Sequence, residues 1–314
     1  MKAAVLHEVG GVPRYEDFPD PVPAAGEVLV EVLAAALENV DKAVAAGKHY
    51  ASAQYLTELP MIPVFDGVGR LADGTVVGFG NPRSPYGALA ELTVVPEGSY
   101  APIPDGVDPA VATVLASAIT AMTMRTAAGL EPGETVLIQG ATGVSGRLAI
   151  QVARLLGAGR IVASGRDPEQ LQELEVDATV NTAVVDDVLR EAYVAAGPYD
   201  VVLDFLWGRP TEMLLRALTP ESFAFGKPTR IVQTGEVAGP DLVVPASALR
   251  TSGVELYGAG RNLNPERMGE AYHQVLEWTR TGKLTYMIDR VPLTDIETAW
   301  QGTSSRGRRT VIIP

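Results

Sequence analysis

Hydrophobic and polar positions divide the chain into two rhythms. Through the first hundred residues, apolar positions come in short runs broken at period two or closed by Pro and Gly, as in Glu27-Val28-Leu29-Val30-Glu31-Val32, Thr75-Val76-Val77-Gly78-Phe79 and Ala90-Glu91-Leu92-Thr93-Val94-Val95 ending at Pro96. This pattern predicts short strands with tight turns, hence a small, partly open barrel or sandwich. From about residue 130 the apolar runs Thr135–Gln139, Arg160–Ser164, Asp200–Asp204, Arg230–Thr234 and Val254–Gly258 are separated by helix-length segments. That alternation predicts a parallel sheet covered on both faces. Val144, Leu148, Val152 and Leu155 form one helical stripe ending at Gly157 and Gly159, the crossover helix of a βαβ unit. An amphipathic helix around Glu266 to Thr281 and short strands at Met287–Val291 and Thr310–Ile313 then close the chain. The expected organisation is therefore an α/β domain, 116–261, inserted into a mainly β domain formed by 1–115 and 262–314.

Composition narrows the chemistry. The 314 residues are 46% hydrophobic and 20% charged, an ordinary globular balance long enough for two domains. A net charge of −13 provides no basic field for nucleic acid and is repelled by anionic membranes; the only basic run is Arg306-Gly307-Arg308-Arg309. The Met1–Glu8 segment has a four-residue apolar stretch before His7 and no small-residue cleavage site, so no signal peptide is read and a cytoplasmic location is expected. The uncharged stretch Pro109–Met124 carries Ser117 and three threonines and reads as a buried helix rather than a membrane span. Zero cysteines and only three histidines exclude disulfides, iron–sulfur clusters, Cys-rich zinc lobes and cysteine nucleophiles, and no Asp-rich loop has calcium-binding spacing.

Gly140-Ala141-Thr142-Gly143-Val144-Ser145-Gly146 lies directly between the strand ending at Gln139 and the crossover helix. Glycines at this spacing let the backbone turn sharply and approach a pyrophosphate, while N–H groups at the helix start meet the anion. In this strand-to-helix context the motif predicts a dinucleotide site. The second strand ends in Ser164-Gly165-Arg166, with no carboxylate at Ser164 or Gly165 to bond a ribose hydroxyl, and the Arg166 guanidinium suits a 2′-phosphate, which favours NADP(H). The competing reading leaves Arg166 as a solvated residue and gives the ribose to Asp167. No G-x-S-x-G elbow, P-loop Gly-Lys-Ser/Thr or Tyr-x-x-x-Lys pair is present.

The order of these features resembles the zinc-free quinone oxidoreductase, zeta-crystallin-like branch of the medium-chain dehydrogenase/reductase superfamily. The likeness runs through Met1-Lys2-Ala3-Ala4-Val5, Pro23–Val30, Asn39-Val40-Asp41, Tyr86–Pro96, Leu130–Ile138, the glycine loop and Tyr199–Asp204. It implies a Rossmann-type doubly wound parallel sheet inserted into a GroES-like, mainly β catalytic domain. Where zinc-dependent members place a cysteine and a Gly-His-Glu, this chain has Glu38 and Val64-Phe65-Asp66, which implies chemistry without a metal Lewis acid. Two departures stand out: the segment Arg70–Gly78 is compressed between Gly69 and Gly87, and Glu169 stands near the position of a lysine that many members carry.

The resemblance puts Thr120 near the nicotinamide ribose, with Asn39 and Asp41 in an adjoining turn; the plainer readings are a helix hydroxyl bonding its own backbone for Thr120 and an N-cap or structural role for Asp41. It puts the pocket aromatic at His49 or Tyr50, either of which offers a proton to a developing enolate, so Tyr50, His49 and Asn39 are the candidate catalytic residues. Cofactor contacts are expected from Thr120, Gly140, Thr142, Gly143, Val144, Ser145, Gly146, Ser164, Gly165, Arg166, and from Phe205, Leu206, Thr234 and Gly235 in the loops after later strands. No metal is expected. The activity implied is NADPH-dependent hydride transfer to a quinone or an α,β-unsaturated carbonyl, as in a quinone or alkenal reductase. The alternatives are a stand-alone enoyl reductase or a non-catalytic NADPH-binding or sensing protein. A homodimer through the Val254–Gly258 edge is the implied assembly.

Overall fold

The computed structural model describes residues 1–314 except 221, 223–226 and 303–306, so Arg306 of the basic run lies outside the described residues. Along the chain run strands β1 (Lys2–Val5), β2 (Arg14–Asp17), β3 (Glu27–Ala36), β4 (Asp66–Arg70), β5 (Val76–Gly80), β6 (Leu92–Pro96) and β7 (Tyr100–Pro102). Next come β8 (Thr135–Gln139), β9 (Arg160–Gly165), β10 (Ala178–Asn181), β11 (Val201–Asp204), β12 (Thr229–Gln233) and β13 (Val254–Gly258). The chain closes with β14 (Ile288–Pro292) and β15 (Arg309–Ile313). Two compact units result: Met1–Leu115 with Tyr286–Pro314, and Ala116–Thr285.

In the first unit, the sheet order is β14-β15-β3-β4-β5-β7, with β6 also paired to β3 and a separate β1-β2 pair. Strand β3 organises it, because its alternation turns Val30 and Val32 inward while Glu31 stays exposed. The C-terminus returns because β15 pairs antiparallel with β3 through Val311↔Ala36 and Ile312↔Ala35 and buries both apolar residues. Ile312 and its partner Ala35 pack with Ala3–Leu6, Ile62, Leu89 and Trp300 in one core. The compressed segment is a tight β4–β5 hairpin, closed by the Leu71 N–H donating to Thr75 O at 2.9 Å.

The second unit holds a six-stranded, wholly parallel sheet in the order β10-β9-β8-β11-β12-β13. Parallel neighbours need crossovers, and the helix Val144–Leu155 covers one face with Leu148, Ala149, Val152 and Ala153. Strand β10 is not among the strands the apolar runs predict, since of its four residues only Val180 is buried and the run carries no apolar pattern. The chain builds outward from β8 to β10 and then crosses to β11 on the other side. The order therefore reverses between β8 and β11, the place where open α/β sheets bind ligands beyond their carboxyl ends.

Two expectations are corrected. The inserted unit does not end at 261 but extends to Thr285. The helix Pro265–Arg280 packs Val275 and Trp278 inward, Arg267 bonds Thr126 O at 3.3 Å, and the Thr285 N–H meets Gln151 Oε1 at 2.9 Å. Amphipathicity reveals that such a helix has an apolar face, but not which domain that face meets. The stretch Pro109–Met124 enters three short helices, Pro109–Ala112, Leu115–Ala121 and Thr123–Thr126, rather than one. No helix among the described residues is long and apolar enough to cross a membrane.

Candidate functional site

The second unit's turn after β8 is shaped by close backbone contacts at two of its glycines. Gly140 has φ +80°, and its N–H and that of Ala141 both donate to Ser164 O, at 3.0 and 2.9 Å, tying the turn to the end of β9. A Cβ at Gly146 would fall 2.3 Å from Gly140 O and 2.5 Å from Ala141 Cα, so only glycine lets the helix lie this close to the turn. Gly143 caps that helix without a side-chain bond. The first N–H groups, at Val144, Ser145 and Gly146, have no intrahelical acceptor and add to the positive end of the helix dipole. The turn therefore has the main-chain geometry that suits an anion.

Around it the expected residues divide into those able to reach a ligand and those that support them. Ser164 is fully buried, and Gly165 lies under Thr142, where a Cβ would sit 2.9 Å from Thr142 Cγ2; both shape the cradle from beneath. Arg166 is exposed, and it makes no hydrogen bond or ion pair among the described residues. Asp167 is otherwise engaged: its Oδ1 caps the helix Pro168–Gln172 by accepting from Glu169 N (3.0 Å) and Gln170 N (3.3 Å), and its Oδ2 accepts from Gln170 Nε2 (2.7 Å). Thr120 donates to Ala116 O at 2.9 Å, the plain helix-hydroxyl arrangement.

Beneath the switch point lies a buried polar chain that sequence reasoning missed. Tyr193 donates to Gln139 Oε1 (2.5 Å), Gln139 Nε2 to Thr211 Oγ1 (3.0 Å), and Thr211 to Asp204 Oδ2 (2.5 Å). Asp204 Oδ1 accepts from the N–H groups of Leu206 (2.8 Å) and Trp207 (3.0 Å), which holds the Phe205–Trp207 loop and its left-handed Trp207, φ +57°. Asp204 O accepts from Thr234 Oγ1 (2.7 Å) and Gly235 N (3.1 Å), so both expected ligand loops hang on one residue. Desolvation raises the Asp204 carboxyl, opposed by the bonds from Thr211 and the two N–H groups. The available signal was polar Gln139 and Asp204 ending otherwise apolar strands, a costly burial unless the groups are bonded.

The first unit holds a cavity of about 270 Å³ whose walls include Tyr55, Phe65, Tyr86, Met61, Ile62 and Val64, with Asp41, Asn81 and Ser84 among the polar lining. None of the three expected catalytic residues lines it. Tyr50 is 95% exposed, with its ring 4.1 Å from that of His49; His49 Nδ1 accepts from Ala51 N at 3.2 Å; and Asn39 is exposed at the start of the helix Asn39–Ala45. The aromatics that do line the cavity are Tyr55, Phe65 and Tyr86; Tyr55 stacks on Phe65 at 4.4 Å and 16° and donates through its hydroxyl to Asn81 Oδ1 at 3.2 Å. No periodicity reports this pair, because the irregular segment between residues 56 and 65 sets where Phe65 falls.

Asp41 is buried in a capping box, its Oδ2 accepting from Glu38 N at 2.8 Å, the plainer structural role open to it from the sequence. Beside it stand Glu38, paired with Arg309 at 2.9 Å, and Asp66. Desolvation, then the Asp66 and Glu38 charges, raise the Asp41 carboxyl well above its ordinary range, with the Glu38 N–H and Arg309 opposing. Asp66 touches solvent on one side, yet crowding protein first and the Glu38 charge second push it up to about 7, with Arg309 opposing.

No family model matches the chain. It is 26% identical to a protein named Probable NADPH-dependent quinone reductase from Emericella nidulans, covering 96% of each chain. It is 28% identical to prostaglandin reductase-3 of Bos taurus, over 71% of this chain and 59% of that one. Among solved structures, the quinone oxidoreductase of Thermus thermophilus, whose complex with NADPH is also known, superposes over 100% of both chains with a TM-score of 0.78 and 29% identity.

Proposed function

We propose, from a chain whose relatives and structural neighbours include NADPH-dependent quinone reductases and a prostaglandin reductase, that this protein is a zeta-crystallin-like member of the medium-chain dehydrogenase/reductase superfamily and reduces quinones or α,β-unsaturated carbonyls with NADPH. The observation that carries the proposal is the glycine cradle of Gly140 to Gly146 at the switch point of the parallel sheet. Its residues fit a dinucleotide, since a Cβ at Gly146 would close the cradle and the uncapped N–H groups of Val144 to Gly146 suit a pyrophosphate. Arg166 is the partner for a 2′-phosphate, a reading supported by the Asp167 carboxylate being engaged in capping the helix Pro168–Gln172.

Bound in this cradle, NADPH supplies hydride, and with it both electrons of the reduction. The chain's residues do the rest by binding and orientation. Asp204 holds the Phe205–Trp207 and Thr234–Gly235 loops, and the aromatic and apolar cavity of the first unit offers the acceptor a ring-sized seat. The acceptor oxygen gathers negative charge as its conjugated carbon is reduced and then takes a proton from water. Zinc independence follows from Glu38 and Phe65 standing where ligands would be needed and from the zero cysteine count. A cytoplasmic homodimer completes the reading.

The test is NADPH oxidation across a panel of quinones, enals and long-chain enoyl thioesters. Turnover on quinones or enals is expected, unaffected by chelator and with NADPH preferred over NADH by roughly tenfold or more, a preference lost in Arg166→Ala, which removes a charge-assisted phosphate contact. Turnover only on long enoyl chains would favour the enoyl reductase alternative. Tight NADPH binding with no turnover on any acceptor would leave a binding or sensing protein.

A further inference from the structure

The cavity in the first unit is ring-sized and mostly apolar, so its few polar groups decide where an acceptor oxygen rests. Two of them are held by neighbours in a way that leaves donors uncommitted. Tyr55 donates to Asn81 Oδ1 at 3.2 Å, which turns the amide so that the two Nδ2 hydrogens are not consumed by that bond. Thr57 Oγ1 donates to Ser84 Oγ at 2.9 Å, so the Ser84 hydroxyl keeps its own proton to give. Tyr55 is itself fixed, its ring stacked on Phe65, and desolvation followed by the Asp66 charge raises its hydroxyl, which keeps it a donor.

The backbone is strained at the same wall. Asn81 has φ +52° and its N–H donates to Phe65 O at 3.0 Å; Val64, a β-branched residue, has φ +71°. Both line the cavity, and left-handed non-glycine residues gathered at a pocket wall are where structures hold strain for function.

We propose that Asn81 is a catalytic residue of the reduction: its side-chain amide donates to the acceptor oxygen and stabilises the enolate or hydroquinone anion formed there, with Tyr55 as the residue that positions the amide and Ser84 as a second donor. Asn81 forms no covalent bond and transfers no proton. The electrons come from the hydride and the proton from water, so the amide acts only on the charge that develops at oxygen. The proposal rests on the reductase reading, but it makes a separate claim about what the cavity does to an anion.

Two measurements keep those claims apart. In the first, para-nitrophenol is titrated into the whole protein without cofactor and its phenolate absorbance is followed against pH. The bound phenol is expected to ionise about one pH unit lower in the wild type than in Asn81→Gly, a tenfold preference for the anion. Glycine accepts the left-handed backbone, so this variant removes the amide without adding strain. Asn81→Asp, of the same shape but without donors, is expected to shift ionisation upward at least as far. In the second measurement, kcat/KM for a naphthoquinone falls on the order of a hundredfold in Asn81→Gly and about tenfold in Tyr55→Phe, with NADPH affinity unchanged. Equal phenol ionisation in wild type and both Asn81 variants overturns the proposal, as does unchanged kcat/KM. Should the wild type turn over no acceptor at all, the reductase reading fails, and the phenol titration still decides the role of Asn81.

Discussion

At the scale of single residues, the chemistry of the first unit turns on an imbalance of charge. Glu38, Asp41 and Asp66 share a neighbourhood with Arg309, and burial makes each added negative charge expensive. The consequence for Asp66 has a definite sign. Its folded-state carboxyl titrates near 7 against 3.8 for the ordinary group, so the folded protein binds the proton more tightly than the unfolded chain. The stability this contributes is fully present below about pH 4 and is lost as pH rises through 7. Asp66→Asn removes the titration while keeping the shape. The melting temperature of Asp66→Asn minus that of the wild type is therefore expected to rise between pH 4 and pH 8 and then level off. A difference that is flat over that range counts against the raised carboxyl. The sequence marked Asp66 only as a replacement within a metal-ligand motif, because the groups that perturb it arrive from positions 38 and 309.

At the scale of elements, strand ends and their loops divide the work between main chain and side chain. The β8 turn presents backbone N–H groups and leaves no room for a Cβ at Gly146, whereas the β11 and β12 loops are held by the carboxylate and carbonyl of Asp204. Gly146→Ala tests the first arrangement. Its Cβ meets backbone atoms of Gly140 and Ala141, which cannot swing aside, so the helix must move away from the turn. A loss of about 1–3 kcal/mol in urea unfolding is expected, together with weaker NADPH binding by fluorescence titration. Wild-type affinity in this variant would show that the close approach is dispensable. The glycine spacing and the apolar strand make this element legible in the sequence. The Tyr193–Gln139–Thr211–Asp204 chain is not, since it joins two strand ends to two crossover helices and has no period of its own.

At the scale of the whole molecule, an α/β unit interrupts a β unit, and the interruption works because β15 carries the C-terminus back to β3. Among the described residues strand β13 ends the parallel sheet, paired with β12, and such a sheet edge is where a second copy could add. The mass by sedimentation is expected to be twice the 33.1 kDa of one chain, and a monomer at micromolar concentration overturns the homodimer.

The amino-acid order alone was enough for the β-then-α/β division, five of the six parallel strands, the cradle of Gly140 to Gly146 and the lack of cysteine ligands. Each of these is written in local periodicity, in spacing or in a count, and survives whatever the rest of the chain does. Tertiary structure alone decided which domain holds the helix Pro265–Arg280, that Tyr55 and Asn81 rather than His49, Tyr50 and Asn39 wall the cavity, and that Asp204 carries the ligand loops. Those outcomes depend on contacts between distant segments and on irregular loops, whose course is set by packing and not by any repeat in the sequence.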